Sequence, residues 1–196
     1  MPSIDTIVQD INSGTIVGVG AKPPPNIANS TTSVISAPHK IKYFSELMKA
    51  TISPTNRLAC DPAQGLDFNG NYLHYADGFS TIANMDVNRR LVVSGNFSGC
   101  MYKIFDAGQG AFKCAHIARP GGANSDSLVQ LIDIYAGQYG WTPIRSIPTV
   151  GLIGTNGCKE VIVLSRLITN KRIETARLQV NNQGLIVAKD VWADEL

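Results

Sequence analysis

A thiol set among small polar residues, with an imidazole one β-run away, is the pairing in this chain that could break an amide bond. The stretch Val92 to Phe105, VVSGNFSGCMYKIF, places Cys100 after Ser94, Gly95, Asn96, Ser98 and Gly99. A structural cysteine behaves as a small hydrophobe and sits inside apolar runs. A nucleophilic thiolate instead needs access, a base, and N–H or hydroxyl donors for a developing oxyanion. Glycine lets another backbone come close. A cysteine that merely opens a strand fits the stretch equally well.

The candidate bases are His39, His74 and His116. MYKIFD from Met101 and AFKCAHI from Ala111 are β-like runs separated by a Gly-rich turn around Ala107-Gly108-Gln109-Gly110, so they read as a hairpin. Pairing Phe105 with Ala111 across the loop puts Cys100 directly opposite His116. Their Cβ atoms would then lie about 4.5–5.5 Å apart on one face, which suits a thiol and its base. A slip of one residue would put them on opposite faces. Cys114 shares the His116 face by the period of two. It reads first as core filler, then as a thiol that could pair with Cys100 on oxidation. A metal-ligand role comes last, because the paired short spacings of a zinc motif are missing, and no metal site is expected. His74 and Asp77 in YLHYADG read equally as the mouth of a cleft or as a solvated loop.

The elements that must position these residues follow from composition and periodicity. The 196 residues are 44% hydrophobic and 16% charged, which suits one compact domain with a tail. A net charge of +2 without a dense basic run shows no nucleic-acid footprint. No secretory signal and no apolar stretch of about 18 residues is visible, so no membrane partner is expected. The four cysteines are too few and too dispersed for a disulfide scaffold and read as free thiols.

Ile4, Ile7, Val8 and Ile11 behind Ser3 predict a short amphipathic helix ended by Asn12-Ser13-Gly14. Lys22 to Pro38, KPPPNIANSTTSVISAP, predicts an extended, weakly ordered segment. The chain is thus divided into a partly ordered N-terminal extension, 1–35, and a single Cys-His domain, 36–196. Ser45 predicts the cap of a helix carrying Leu47, Met48 and Ile52 and stopped by Pro54. After Ser125, the stripe Leu128, Leu131, Ile132, Tyr135, Ala136 and Tyr139 predicts a helix stopped at Gly140. WTPIRSI, EVIVLSRLI, RIETARLQV and LIVAKDVW predict four strands, the last two joined by an NNQG hairpin. The expected class is α+β: a mainly antiparallel sheet or sandwich flanked by a few helices.

Ser98-Gly99-Cys100 followed by a histidine in the next β-run resembles the catalytic signature of the glutamine deamidase superfamily that includes the cytotoxic necrotizing factors and related bacterial lethal factors. The chemoreceptor glutamine deamidases share the Cys-His arrangement more distantly. The resemblance covers about Ser94 to His116, with Phe97 standing where the toxins usually have leucine. It implies a β-sandwich-like core with flanking helices, a Cys100 nucleophile and a His116 base. Ser94, six residues before the cysteine, would orient the histidine. It implies attack of the thiolate on a glutamine carboxamide and an oxyanion held by the Cys100 N–H with Ser98 or Asn96 beside Gly99. A thioester would then be hydrolysed to glutamate without metal or organic cofactor. The implied partner is a target protein presenting an exposed glutamine, of the Rho-family GTPase or translation-initiation helicase class. The implied setting is a monomeric effector, secreted or translocated without a cleaved signal, acting in a target-cell cytosol. The same dyad would serve a cysteine peptidase or a transglutaminase, and a non-catalytic binding domain could retain the fold with Cys100 inert.

Overall fold

A computed structural model describes residues 4–20, 40–119, 126–169 and 171–196. The Lys22 to Pro38 segment, His39, Ser3 and Ser125 lie outside the described residues. In chain order the elements are α1 (Ile7–Asn12), β1 (Gly18–Val19), β2 (Ile41–Tyr43), β3 (Ser45–Ile52), β4 (Arg57–Pro62), β5 (Gly70–Leu73) and β6 (Ser80–Met85). There follow β7 (Leu91–Phe97), β8 (Met101–Asp106), β9 (Phe112–Ile117), α2 (Ser127–Gln138), β10 (Thr142–Pro148), β11 (Glu160–Thr169), β12 (Arg172–Val180) and β13 (Ile186–Glu195).

The strands form an eight-stranded sheet, β1-β4-β3-β5-β7-β11-β12-β13, and a five-stranded sheet, β10-β8-β9-β6-β2. Pairing is antiparallel except at β1/β4, β5/β7 and β2/β6. Alternation along the strands separates three cores. On the outer face of the large sheet, Met48, Val93, Leu164 and Leu178 pack with Ile7, Val8 and Ile11 of α1. Its inner face sends Leu73, Val92, Phe97, Val163 and Ile173 against Tyr102, Ile104, Phe112 and Cys114 of the small sheet. The far side of the small sheet, through Ile82, Phe105, Ala115 and Ile117, packs on Leu128, Ile132, Tyr135 and Ala136 of α2. The layers therefore run helix, sheet, sheet, helix, an α+β sandwich with the burial of each face set by the period of two. Arg145 of β10 reaches across the layers, donating from Nε to Asp194 Oδ2 of β13 at 2.7 Å.

Three local outcomes differ from expectation. Residues 45–52 form a strand and not a helix. Glu46, Met48 and Ala50 are buried at a period of two, and Asn69 pairs with both the N–H and the C=O of Ala50 at 2.9 Å. Short apolar runs are ambiguous between the two periods, and here pairing with β4 and β5 decides. Residues 4–20, set apart as part of an extension, bury Ile7, Ile11, Ile16 and Val19 in the same core as the later strands. Lys189 of β13 donates to the Ile11 and Asn12 carbonyls at the end of α1. In the stripe of α2, Tyr139 lies past the helix and is 56% exposed, so the buried face is narrower than the periodicity.

Candidate active site

The hairpin that carries Cys100 and His116 forms in a different register from the one expected. Asp106 Oδ1 accepts from the Gly108 N–H at 2.7 Å and the Ala107 N–H donates to the Ala111 carbonyl at 2.9 Å. Gly108, Gln109 and Gly110 all take positive φ. This side-chain-stabilised turn closes the loop one residue later on each strand, so Phe105 faces Lys113 and His116 faces Tyr102. A shift of two in the register sum keeps parity. Cys100, one residue before β8, is no longer the direct partner of His116, while it stays in the core between the two sheets.

The large sheet supplies the rest of the site through an irregularity. β7 and β11 pair Ser94 with Val163 and Phe97 with Val161, so β7 carries one extra residue around Gly95-Asn96. In a regular strand, positions three apart point to opposite faces. The bulge turns both Ser94 and Phe97 toward the small sheet, and bulges commonly re-aim side chains in this way. Phe97 stacks on the His116 ring with centroids 3.8 Å apart and planes within 10°.

Ser94 lies 2.9 Å from His116 Nδ1 and donates its own proton to the Leu73 carbonyl at 2.8 Å. With its single proton so used, Ser94 Oγ accepts from Nδ1–H. The imidazole is then neutral with its lone pair on Nε2, a buried atom without a hydrogen-bond partner among the described residues. His116 is 1% exposed, and burial lowers its pKa from 6.5 to about 3.

Cys100 is 7% exposed at the end of the Ser98-Gly99 turn. Burial raises its thiol pKa and the Asp77 charge adds to this, while hydrogen bonds from the Arg119 and Ser98 backbone N–H groups and the Arg119 charge work against it. The resting pair is therefore thiol and neutral imidazole. No hydrogen bond joins Cys100 Sγ to His116 Nε2. Gly99 takes φ +128°, a conformation that disfavours any side chain, with open space around it. Thr149 holds this turn: its hydroxyl donates to the Cys100 carbonyl at 2.8 Å and accepts from the Gly99 N–H at 3.4 Å.

Of the expected oxyanion groups, Ser98 meets the sulfur, through its backbone N–H; the Arg119 backbone N–H, not among those expected, does so too, and Gly99 shapes the turn. Asn96 lies on β7, and its side chain is outside the described residues. The YLHYADG loop divides. Asp77 accepts from the Tyr75 hydroxyl at 2.9 Å, and the Tyr75 ring lies 5.3 Å from that of His116. Burial raises the Tyr75 pKa to about 12, helped by the Asp77 hydrogen bond and by the Asp77 and Cys100 charges. With 40% of its surface exposed, Tyr75 covers the outer side of the site. His74 turns away into a buried pair with Glu46, 3.4 Å apart, between Phe44 and Tyr72. Cys114 is fully buried below His116 near the Tyr102 hydroxyl, and burial raises its pKa to about 12, which fits filler.

Phe97, Thr149, Tyr75 and Arg119 are the residues that sequence spacing missed. Only Gly95 within an otherwise strand-like run signalled the bulge that places Phe97. All four cysteines are buried, and none is joined in a disulfide. Among the described residues no helix is long and apolar enough to cross a membrane. No protein-family model, curated protein or solved structure matches this chain.

Proposed function

We propose that the protein is a cysteine-dependent amide hydrolase that converts an exposed glutamine of a target protein to glutamate. The observation that carries the reading is the His116 ring: Ser94 fixes it through Nδ1, which leaves an unpartnered Nε2 lone pair on the face that holds Cys100. A histidine kept only for packing has no need of a tautomer set by a serine that is itself tied to a carbonyl.

In this reading, seating of the carboxamide brings Cys100 Sγ to Nε2, which takes the thiol proton. The thiolate adds to the carboxamide carbon, and the Ser98 and Arg119 backbone N–H groups hold the oxyanion. Collapse breaks the C–N bond, and His116 passes its proton to the departing ammonia. Water then adds to the thioester with its proton taken by Nε2, and release of glutamate returns that proton to Cys100. Ser94 keeps its hydrogen bond to Nδ1–H throughout and stabilises the transient imidazolium. The resemblance around Ser98-Gly99-Cys100 supports glutamine as the substrate and an effector acting in a target-cell cytosol as the setting.

Ammonia release from cell protein extracts tests this reading. Wild type is expected to release it and Cys100→Ser is not; equal release by both would overturn it. One observation favours a second reading. Cys100 is buried with a raised pKa, as in a binding domain whose thiol is inert. In that case Cys100 resists iodoacetamide with or without target extract, whereas a working site is alkylated at Cys100 in the free protein and is protected once a substrate seats.

A further inference from the structure

At the opposite end of β7 from the cysteine turn lies a pocket of about 160 Å³, lined by Ile4, Asp5, Asn88, Arg90, Leu91 and Arg166 among others. The run from Leu91 to Phe97 separates it from the Cys100 turn by about 20 Å at about 3.3 Å per residue. Arg166 stands on β11 opposite Leu91, and its side chain is 11% exposed. Two carboxylates face it. Asp5 Oδ1 lies 4.0 Å away, beyond hydrogen-bond length, on a side chain that is 85% exposed. Glu174, across the β11/β12 pair, is engaged by Arg172 at 2.8 Å. Arg90 brings a second guanidinium to the same pocket, and among the described residues no side-chain hydrogen bond or ion pair holds it. Burial lowers the Arg166 pKa and the Arg90 charge lowers it further, against Asp5 and Glu174.

Two neighbouring guanidiniums, Arg90 and Arg166, outnumber the one carboxylate in the pocket lining, Asp5, and make a site short of negative charge. Arginine forks match a tetrahedral oxyanion in shape and charge, and Asn88 supplies a further polar group in the lining. The volume equals that of about five waters at roughly 30 Å³ each. That exceeds the need of an inorganic ion, and Ile4, Phe68, Val87 and Leu91 form apolar wall around the remainder. We infer that Arg90 and Arg166 form a binding site for a phosphate group, carried by inorganic phosphate or by a small phosphomonoester. Asp5 occupies the rim of this site and competes with the ligand.

Titration calorimetry of the full chain with sodium phosphate and with phenyl phosphate, at constant ionic strength in chloride, tests the site. Wild type is expected to bind, and Arg90→Gln and Arg166→Gln each to weaken binding by about tenfold or more, given about 1.5–3 kcal/mol per charge-assisted hydrogen bond. Asp5→Asn is expected to tighten it. Phenyl phosphate binding more tightly than inorganic phosphate would identify the monoester as the ligand, and equal affinities would identify the free ion. Arg90 is exposed, so Arg90→Gln should keep the wild-type Tm without phosphate, and this separates a lost site from a lost fold. No binding of either probe by wild type, or unchanged affinity in Arg90→Gln, would overturn the inference.

Discussion

At Cys100 and His116, burial sets both protonation states the same way, toward the uncharged form. The working form is then thiol plus neutral imidazole, so activity should stay flat from about pH 5 to 8. An acid limb near the ordinary histidine value of 6.5 would contradict the buried, Ser94-tethered ring. His116→Ala should lower kcat by about 10²–10⁴-fold. Ser94→Ala should lower kcat by less, with KM little changed, because it frees the ring without removing the base. The same burial affects stability. Above pH 6.5 neither folded nor unfolded His116 holds the second proton, so it adds no pH dependence. As the pH falls toward 3 the unfolded chain binds a proton that the folded one refuses, and stability drops by about 1.4 kcal/mol per unit. Urea unfolding between pH 7 and 5 should show a steeper loss of stability in wild type than in His116→Gln, where buried His74 alone keeps a slope of the same sign. Cys100 and His116 were legible from residue type and the gap between them, and Ser94 from a resemblance. Phe97 was not, since stacking on His116 depends on a bulge that brings a residue of one sheet over a ring from the other.

At the scale of elements, the site rests on two backbone devices that single residues maintain. Gly70 at the start of β5 abuts β7, where an added Cβ would lie 2.3 Å from the Leu91 carbonyl oxygen. Gly70→Ala should therefore cost about 1–3 kcal/mol or more through forced separation of the parallel pair that aligns Leu73 with Ser94. Thr149→Val removes the hydroxyl bonds to the cysteine turn and should cost about 1–2 kcal/mol, with a loss of activity larger than the loss of folded protein. Denaturant midpoints alongside ammonia release would check both. The hairpin was visible in MYKIFD and AFKCAHI, but its register was not, because the Asp106 side chain decides which residue closes the loop. Residues 45–52 were misread for a related reason: a short apolar run takes its period from its neighbours, and pairing with β4 and β5 makes this one a strand.

For the whole molecule, the order helix, sheet, sheet, helix puts the site between the two sheets, where neither sheet alone contains it. Ser94 and Phe97 come from one and His116 from the other. The β-rich class followed from alternation in the later strands and from the NNQG turn. The role of the first residues did not, because Ile7, Val8 and Ile11 read equally as a detached amphipathic helix until the sheet they cover is known. Ile11→Ala should cost about 2–5 kcal/mol and lower the Tm of the whole unit in one transition. A separate early transition that leaves the Cys100 region folded would show the N-terminal segment to be independent.

The central claim is that Cys100 hydrolyses glutamine carboxamides. Its most direct test is peptide mass spectrometry of target-cell extract treated with wild type or with Cys100→Ser. Glutamine-to-glutamate conversion at a defined site with wild type alone is the predicted result. New chain termini, amine adducts or no Cys100-dependent change would contradict it and point to a peptidase, a transglutaminase or a binding domain respectively.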